Sequence, residues 1–304
     1  MTTVDTLAGA DRTISVIIAA HNEEAVLGAC LEALLAQPEV ARMQIIVSAN
    51  GCTDDTVGVA RRYGVEVLDR PEPGKSAAMN AAERIAVGSA RIYLDADIIV
   101  PADGIRAVLA PLDADPPPLA VVPRRRVNTS GRTWPVKGYF AINERLPVYR
   151  GGLFGRGMIT LSQDGRARFG EFPAMIADDL FVDSQFTAAE KAETAEVEVV
   201  VDAPHTTRDL LHRLVRVRRG NAQMRAAAAA GRIGTPVRPA DRWAWLREVL
   251  GAEPHLVFAA VPYVTITVVA ALLARRSPES APSWGRDEST RHGPRIAASA
   301  AEAI

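Results

Sequence analysis

The sequence predicts an α/β fold whose sheet is mixed but mainly parallel and flanked by helices, and three observations predict it. Short β-branched runs alternate with amphipathic helical stripes through the first hundred residues, the connections between them are brief, and the first run is apolar at nearly every position. With 304 residues the chain is long enough for one large domain with a sizeable core.

The elements follow in order. Residues 14–20 (ISVIIAA) are too short for a buried helix and suit a strand covered on both faces. Residues 23–36 carry Val26, Cys30, Leu31, Leu34 and Leu35 at helical spacing and stop before Pro38. A second strand is predicted over 44–48. The next helix spans 54–63, with Thr53 as N-cap and Asp54 and Asp55 at its positive end. A third strand over 65–68, a helix over 76–87 and a fourth strand over 91–94 complete the alternation. Residues 115–118 (DPPP) form a break. Beyond it a strand is expected over 119–123 and a helix over 135–149. The Gly-rich stretch 151–157 then leads to another apolar run, and a basic, alanine-rich helix is expected over 209–232. The predicted organisation is an N-terminal tail (1–12), a first half (13–118), a second half of the same domain (119–232), C-terminal helices (233–276) and a disordered tail (277–304).

Lys and Arg number 35 against 36 Asp and Glu, so no global field calls for a nucleic-acid partner, and none is expected. Two cysteines, Cys30 and Cys52, make neither a disulfide scaffold nor a zinc site and suit a reducing compartment. The N-terminal dozen residues lack the charged-then-apolar order of a secretory signal, so the expectation is a cytoplasmic protein.

In parallel sheets ligands bind at the carboxyl ends of the strands. Past the first predicted strand lie Ala20, His21, Asn22, Glu23 and Glu24; past the second, the run from Asn50 to Asp55; past the fourth, Asp95, Ala96 and Asp97. An isolated D-x-D is most often a solvated turn. This one ends an apolar strand and precedes Ile98-Ile99-Val100, and strand alternation would point Asp95 and Asp97 the same way. Two such carboxylates suit a hard divalent cation completed by diphosphate oxygens and water.

In this order and spacing, AAHNEE, NGCTDDT, PGKSAAMNAA and DADI resemble the nucleotide-binding half of family 2 glycosyltransferases, which have the GT-A fold. The likeness covers about residues 13–112 closely and 150–222 loosely. It implies an inverting enzyme that moves a sugar from a nucleotide-diphosphate sugar, with UDP the first expectation, to an acceptor hydroxyl on a glycan, lipid or small molecule. The implied cofactor is Mg2+ or Mn2+, with Asp97 the direct ligand and Asp95 shared between ribose and metal. Ala20, His21 and Glu23 fall in the segment that wraps the nucleoside. Asn50 stands where the family usually has an acid and would offer its amide to a base. Lys75 either approaches the nucleotide or is a solvated lysine at a helix start. Asp178 and Asp179 occupy the place of the family's acidic pair, with Asp179 aligned to the general base; the bland alternative is a helix start dressed with acids. Arg213 and Arg216 fall on the family's Gln-x-x-Arg-Trp element, with Arg213 replacing the Gln and Val217 the Trp, and arginines there would neutralise the leaving diphosphate. The alternative is a basic helix face on solvent or anionic lipid.

Residues 256–274 are uncharged and barely long enough to cross a bilayer. Arg275 and Arg276 follow at once, which argues for a helix packed on the domain or lying peripherally at the cytoplasmic face rather than spanning. Two other functions compete. A nucleotidyltransferase would need a Gly-rich, Arg-bearing first loop, which AAHNEE is not. A non-catalytic sugar-nucleotide-binding protein would have no need of acids at 95, 97, 178 and 179.

Overall fold

The computed structural model describes residues 12–175, 177–233, 241 and 243–276. The predicted tails, apart from Arg12, lie outside these residues. A seven-stranded sheet forms the centre, built from β1 (Ile14–Ala20), β2 (Met43–Asn50), β3 (Glu66–Arg70), β4 (Ala90–Leu94), β5 (Ala120–Asn128), β6 (Met158–Leu161) and β7 (Lys191–Asp202), in the order β3-β2-β1-β4-β6-β5-β7. Strands β3, β2, β1 and β4 are parallel neighbours, and β5 is parallel to β7. Only β6 runs antiparallel, to both β4 and β5. The chain leaves β1 for β2 on one side and later returns to β4 on the other, so the strand order reverses at β1.

The helices are α1 (Glu24–Leu35), α2 (Thr56–Arg62), α3 (Lys75–Glu83), α4 (Gly104–Leu109), α5 (Trp134–Asn143), α6 (Gln163–Ala167), α7 (Asp178–Ser184), α8 (Thr207–Ala229) and α9 (Val257–Arg276). Alternation along β1 sends Ile14, Val16 and Ile18 to one face, against Leu27, Leu31 and Leu34 of α1, and Ile17 to the other, with Met79 of α3. Both faces are therefore covered, as the continuous apolar run requires. A third core joins α5, α8 and α9 through Val136, Tyr139, Leu210, Tyr263 and Ile266.

Several expectations need correction. The helix predicted over 135–149 ends at Asn143, and Pro147 opens a separate 3-10 turn because its ring cannot continue the ladder. The α3 helix begins one residue earlier than predicted and stops four sooner. Strand β7 was not anticipated: its surface glutamates are the outward half of an edge strand, with Val197 and Val199 buried between them. Thr53 does not cap α2. The backbone N–H of Thr56 goes instead to Asp54 Oδ1 (3.1 Å), and that of Asp55 to Glu24 Oε2 (2.8 Å) in the first loop.

Helix α9 is the one helix among the described residues long and apolar enough to cross a membrane. One side of it packs on α5, where Gly138 lets Pro262 approach so closely that a Cβ would sit 2.6 Å from its Cγ. The other side leaves Phe258, Val261, Val268 and Leu272 exposed.

Candidate active site

The loops after β1 and β2 are stitched into one edge by their own polar groups. Asn22, in a left-handed conformation (φ 51°), accepts from Thr53 N (2.7 Å) and donates to Thr53 Oγ1 (3.1 Å). Glu24 N–H reaches Asp54 Oδ2 (3.2 Å), and Glu23 N–H reaches Thr56 Oγ1 (2.6 Å). Glu24, Asp54 and Asp55 are thereby engaged in loop structure and helix capping. Glu23 itself is buried.

Asn50 is wholly buried, which corrects the expectation that its amide meets a base. Its Nδ2 donates to Ala20 O (2.7 Å) and its Oδ1 accepts from Gly74 N (2.9 Å). His21 Nδ1 lies against Asn50 O, so Asn50 ties Ala20 and His21 to the turn that opens α3. An asparagine suits this junction because it donates and accepts at once, whereas a carboxylate would face a carbonyl.

Lys75, at the start of α3, is not a solvated lysine. Its Nζ lies 2.9 Å from Asp95 Oδ1 and 2.9 Å from Asp178 Oδ2, bridging the two halves of the domain. Burial disfavours its charge, but the carboxylates of Asp178 and Asp95 more than compensate, so its pKa is raised. What brings Asp178 there is the rest of the PGKSAAMNAA segment. Ser76 Oγ donates to Met175 O (3.2 Å), while Asn80 exchanges two hydrogen bonds with Phe172, Nδ2 to O (3.0 Å) and Oδ1 from N (2.8 Å). These bonds clamp the strap before α7 onto α3.

Helix α7 begins at Asp178, with Asp179 next. Asp179 Oδ2 accepts from Gly155 N (3.0 Å), and Oδ1 from its neighbour Leu180 N (2.8 Å). Its carboxyl is pushed up to about 6, first by burial and then by the charge of Asp178; Lys75 and the Gly155 bond pull the other way. The helix is anchored beneath by a buried pair, Asp183 with Lys191 (2.7 Å), and Asp183 also accepts from Leu153 N (2.9 Å).

Asp95 and Asp97 lie in a turn rather than on the strand, closed by Ile98 N to Asp95 O (3.1 Å). Ala96, Ile98 and Val100 are buried while Asp97 is exposed. Gly157, at φ 71°, accepts at its carbonyl from Asp95 N–H (2.8 Å). A Cβ there would strike Ile98 at 2.6 Å and stand 3.7 Å from Asp95 Oδ2, so glycine keeps the space before this carboxylate open. Among the described residues no cluster of three or more His, Cys, Asp or Glu could hold a metal by itself. Asp95 and Asp97 offer two hard carboxylates, which would fit a divalent cation sharing its remaining positions with a ligand's oxygens.

The structure therefore brings Ala20, His21, Asn50, Lys75, Asp95, Asp178 and Asp179 to one edge of the sheet, linked by hydrogen bonds and ion pairs. Arg213 is placed otherwise. It sits on α8, which packs on α5, α7 and α9, makes no ion pair among the described residues, and its charge is felt at Tyr139. Arg216 lies one turn further along the same helix. Sequence reasoning missed Arg70, at the carboxyl end of β3, whose Nε is buried with no hydrogen-bond partner. The signal was a basic residue at the strand's end, and ending the predicted strand at Leu68 hid it.

Residues 15–165 match the family described as Glycosyl transferase family 2. The chain belongs to that family. An uncharacterised glycosyltransferase of Mycobacterium tuberculosis is 33% identical over 124 residues, 40% of this chain and 52% of that protein. This family 2 chain spans about half the length of the curated relatives it matches. Its fold is that of the GT-A glycosyltransferases. A mannosyltransferase from Pyrobaculum calidifontis, in complex with GDP-Man and Mn2+, superposes with a TM-score of 0.58 at 21% identity, covering 88% of this chain and 76% of that one. Glucosyl-3-phosphoglycerate synthase from Mycobacterium tuberculosis, in complex with Mn2+, UDP and glucosyl-3-phosphoglycerate, gives 0.54 at 22% identity over 76% of this chain and 84% of that one.

Proposed function

We propose that this protein transfers a glycosyl group, with inversion, from a nucleoside-diphosphate sugar to an acceptor hydroxyl, with Asp179 as general base. The observation that carries this reading is the placement of Asp179. It is held by two backbone N–H groups at the same sheet edge as Asp95 and pushed up to about 6, so at neutral pH it is ionised yet basic enough to accept a proton. A carboxylate facing the acceptor takes the hydroxyl's proton as oxygen attacks the anomeric carbon from the side opposite the diphosphate. The solved neighbours named above, which hold GDP-Man or UDP with Mn2+, support this donor class.

Asp95 and Asp97 are the residues that would hold Mg2+ or Mn2+, which when bound neutralises the departing diphosphate. Lys75 carries one positive charge shared between Asp95 and Asp178. It holds the donor-side and acceptor-side acids at a fixed separation and keeps Asp178 from raising Asp179 further. Ala20, His21 and Glu23 shape the nucleoside side, and Arg70 gives that edge a cation.

The test is Asp179→Asn. Transfer should fall by about 10²–10⁴-fold, the usual contribution of a general base, while Mn2+-dependent binding of UDP or GDP stays within a few-fold. Full transfer by the Asn variant would remove Asp179 from the role. We also infer peripheral membrane contact through α9, because one side of it packs on α5 and α8 while the other is apolar and exposed. The whole protein should co-float with vesicles containing anionic lipid, and Phe258→Glu should abolish this; flotation unchanged by the substitution excludes that face.

A further inference from the structure

Three half-buried arginines, Arg125 on β5 and Arg213 and Arg218 on α8, have no carboxylate partner among the described residues. Arg125 on β5 is half-buried, and among the described residues no carboxylate pairs with it. The nearby Arg156 is different: it is buried and committed, donating to Pro123 O (3.1 Å) and Tyr149 O and pairing with Glu193. Arg125 is oriented instead by a ring and a peptide. Its guanidinium lies 4.1 Å over Tyr149, which itself packs on Phe154, and Nη1 donates to Gly155 O (3.1 Å). That leaves most of the five N–H donors of a planar fork for something else.

The position of Gly155 gives this its meaning. The same residue that accepts from Arg125 donates its N–H to Asp179, so guanidinium and base stand at opposite ends of a single residue's backbone. Gly155 has φ 66°, and a Cβ there would lie 3.2 Å from Arg125 Nη1, so the arrangement depends on glycine. Two further half-buried arginines on α8, Arg213 and Arg218, also lack a carboxylate partner among the described residues. Their charges reach the hydroxyl of Tyr139, which stacks on Tyr263 at 5.4 Å. Elsewhere the half-buried arginines 91, 132 and 166 have acids, while Arg70 at the end of β3 has none among the described residues. Partly desolvated guanidinium groups without a counter-charge are costly, and the cost is recovered when an anion binds.

We propose that the acceptor is a phosphate ester whose anion is received by Arg125, with Arg213 and Arg218 adding field, while its hydroxyl faces Asp179. The short span between guanidinium and base requires the reacting hydroxyl to lie within a few bonds of the phosphate. This rests on the reading of Asp179 as the base, and it adds the acceptor's chemical class. Chemistry alone admits a soluble phosphate ester or a phospholipid headgroup, and the test separates them.

Inorganic phosphate is the first probe, titrated by calorimetry into the full-length protein saturated with UDP or GDP and Mn2+, so that donor-side phosphate positions are filled. Saturable phosphate binding is expected, with affinity falling at least tenfold in Arg125→Gln and largely recovered in Arg125→Lys, while nucleotide affinity and the thermal midpoint hold. Equal phosphate affinity in wild type and Arg125→Gln overturns the proposal, as does the absence of saturable binding. The same titration in EDTA without nucleotide reads the anion site even where the donor reading fails, so the two failures are distinguishable. Competition by glycerol 3-phosphate assigns a soluble acceptor; competition by phosphatidic acid in phosphatidylcholine vesicles assigns a headgroup. Competition by neither overturns the acceptor role.

Discussion

Replacing Asp179 by asparagine should reveal a conflict between stability and function whose size follows from the structure. In the unfolded chain this carboxyl titrates near 3.8, and in the fold it is pushed up to about 6, by burial and by Asp178. The sign follows from linkage. Below pH 3.8 the group is protonated in both states and burial costs nothing extra. As pH rises through about 6 the folded carboxyl must ionise against its surroundings, and stability is lost. A shift of roughly two units corresponds to about 3 kcal/mol at neutral pH. Asparagine escapes this penalty but has one acceptor oxygen for two N–H groups, Gly155 and Leu180, a loss of about 1 kcal/mol that does not depend on pH. The difference in unfolding free energy between variant and wild type should therefore move by up to about 3 kcal/mol in favour of asparagine between pH 4 and pH 7.5. Urea titrations across that range measure it. A difference that stays flat within about 0.5 kcal/mol would refute the account of Asp179 as a carboxylate held against its preference. In wild type, kcat/KM should fall as pH drops below about 6, since the base must be ionised.

Asp97→Ala should remove Mn2+-dependent nucleotide binding as read by calorimetry, and binding that persists unchanged would dissociate this turn from the cation. Lys75→Met leaves Asp95 and Asp178 without their shared cation, which should cost about 2 kcal/mol in a partly exposed setting and shift the acid limb of kcat/KM to higher pH. An unmoved limb in that variant would mean that Lys75 does not act on Asp179.

Local pattern was enough to read the nucleotide half of the domain. Residues 14–20 could only be a strand covered on both faces, and the loops after β1, β2 and β4 had to share an edge once the connections were seen to be short and the sheet parallel. Asp95 stood out because it ends an apolar strand, whereas Asp178 and Asp179 stood out only through the resemblance to family 2 glycosyltransferases, since acids at a helix start are common. The acceptor half resisted, since β7 carries its glutamates outward in a pattern that a solvated segment shares, and β6 is only four residues long.

Side-chain fate was another matter. Asn50 presented itself as a ligand group by its position past β2, and packing buried it between Ala20 and Gly74 instead. Lys75 could not be told from a surface lysine until Ser76 and Asn80 were seen to hold the strap before α7, about a hundred residues away in sequence, against α3. The residues surrounding Asp179, from Gly155 to Arg125, come from separate elements. Periodicity reports only how a residue relates to its near neighbours along the chain. Whether a charge finds a partner, and whether a carboxyl is held near 6 rather than 4, depends on groups that only the folded chain brings within a few ångströms.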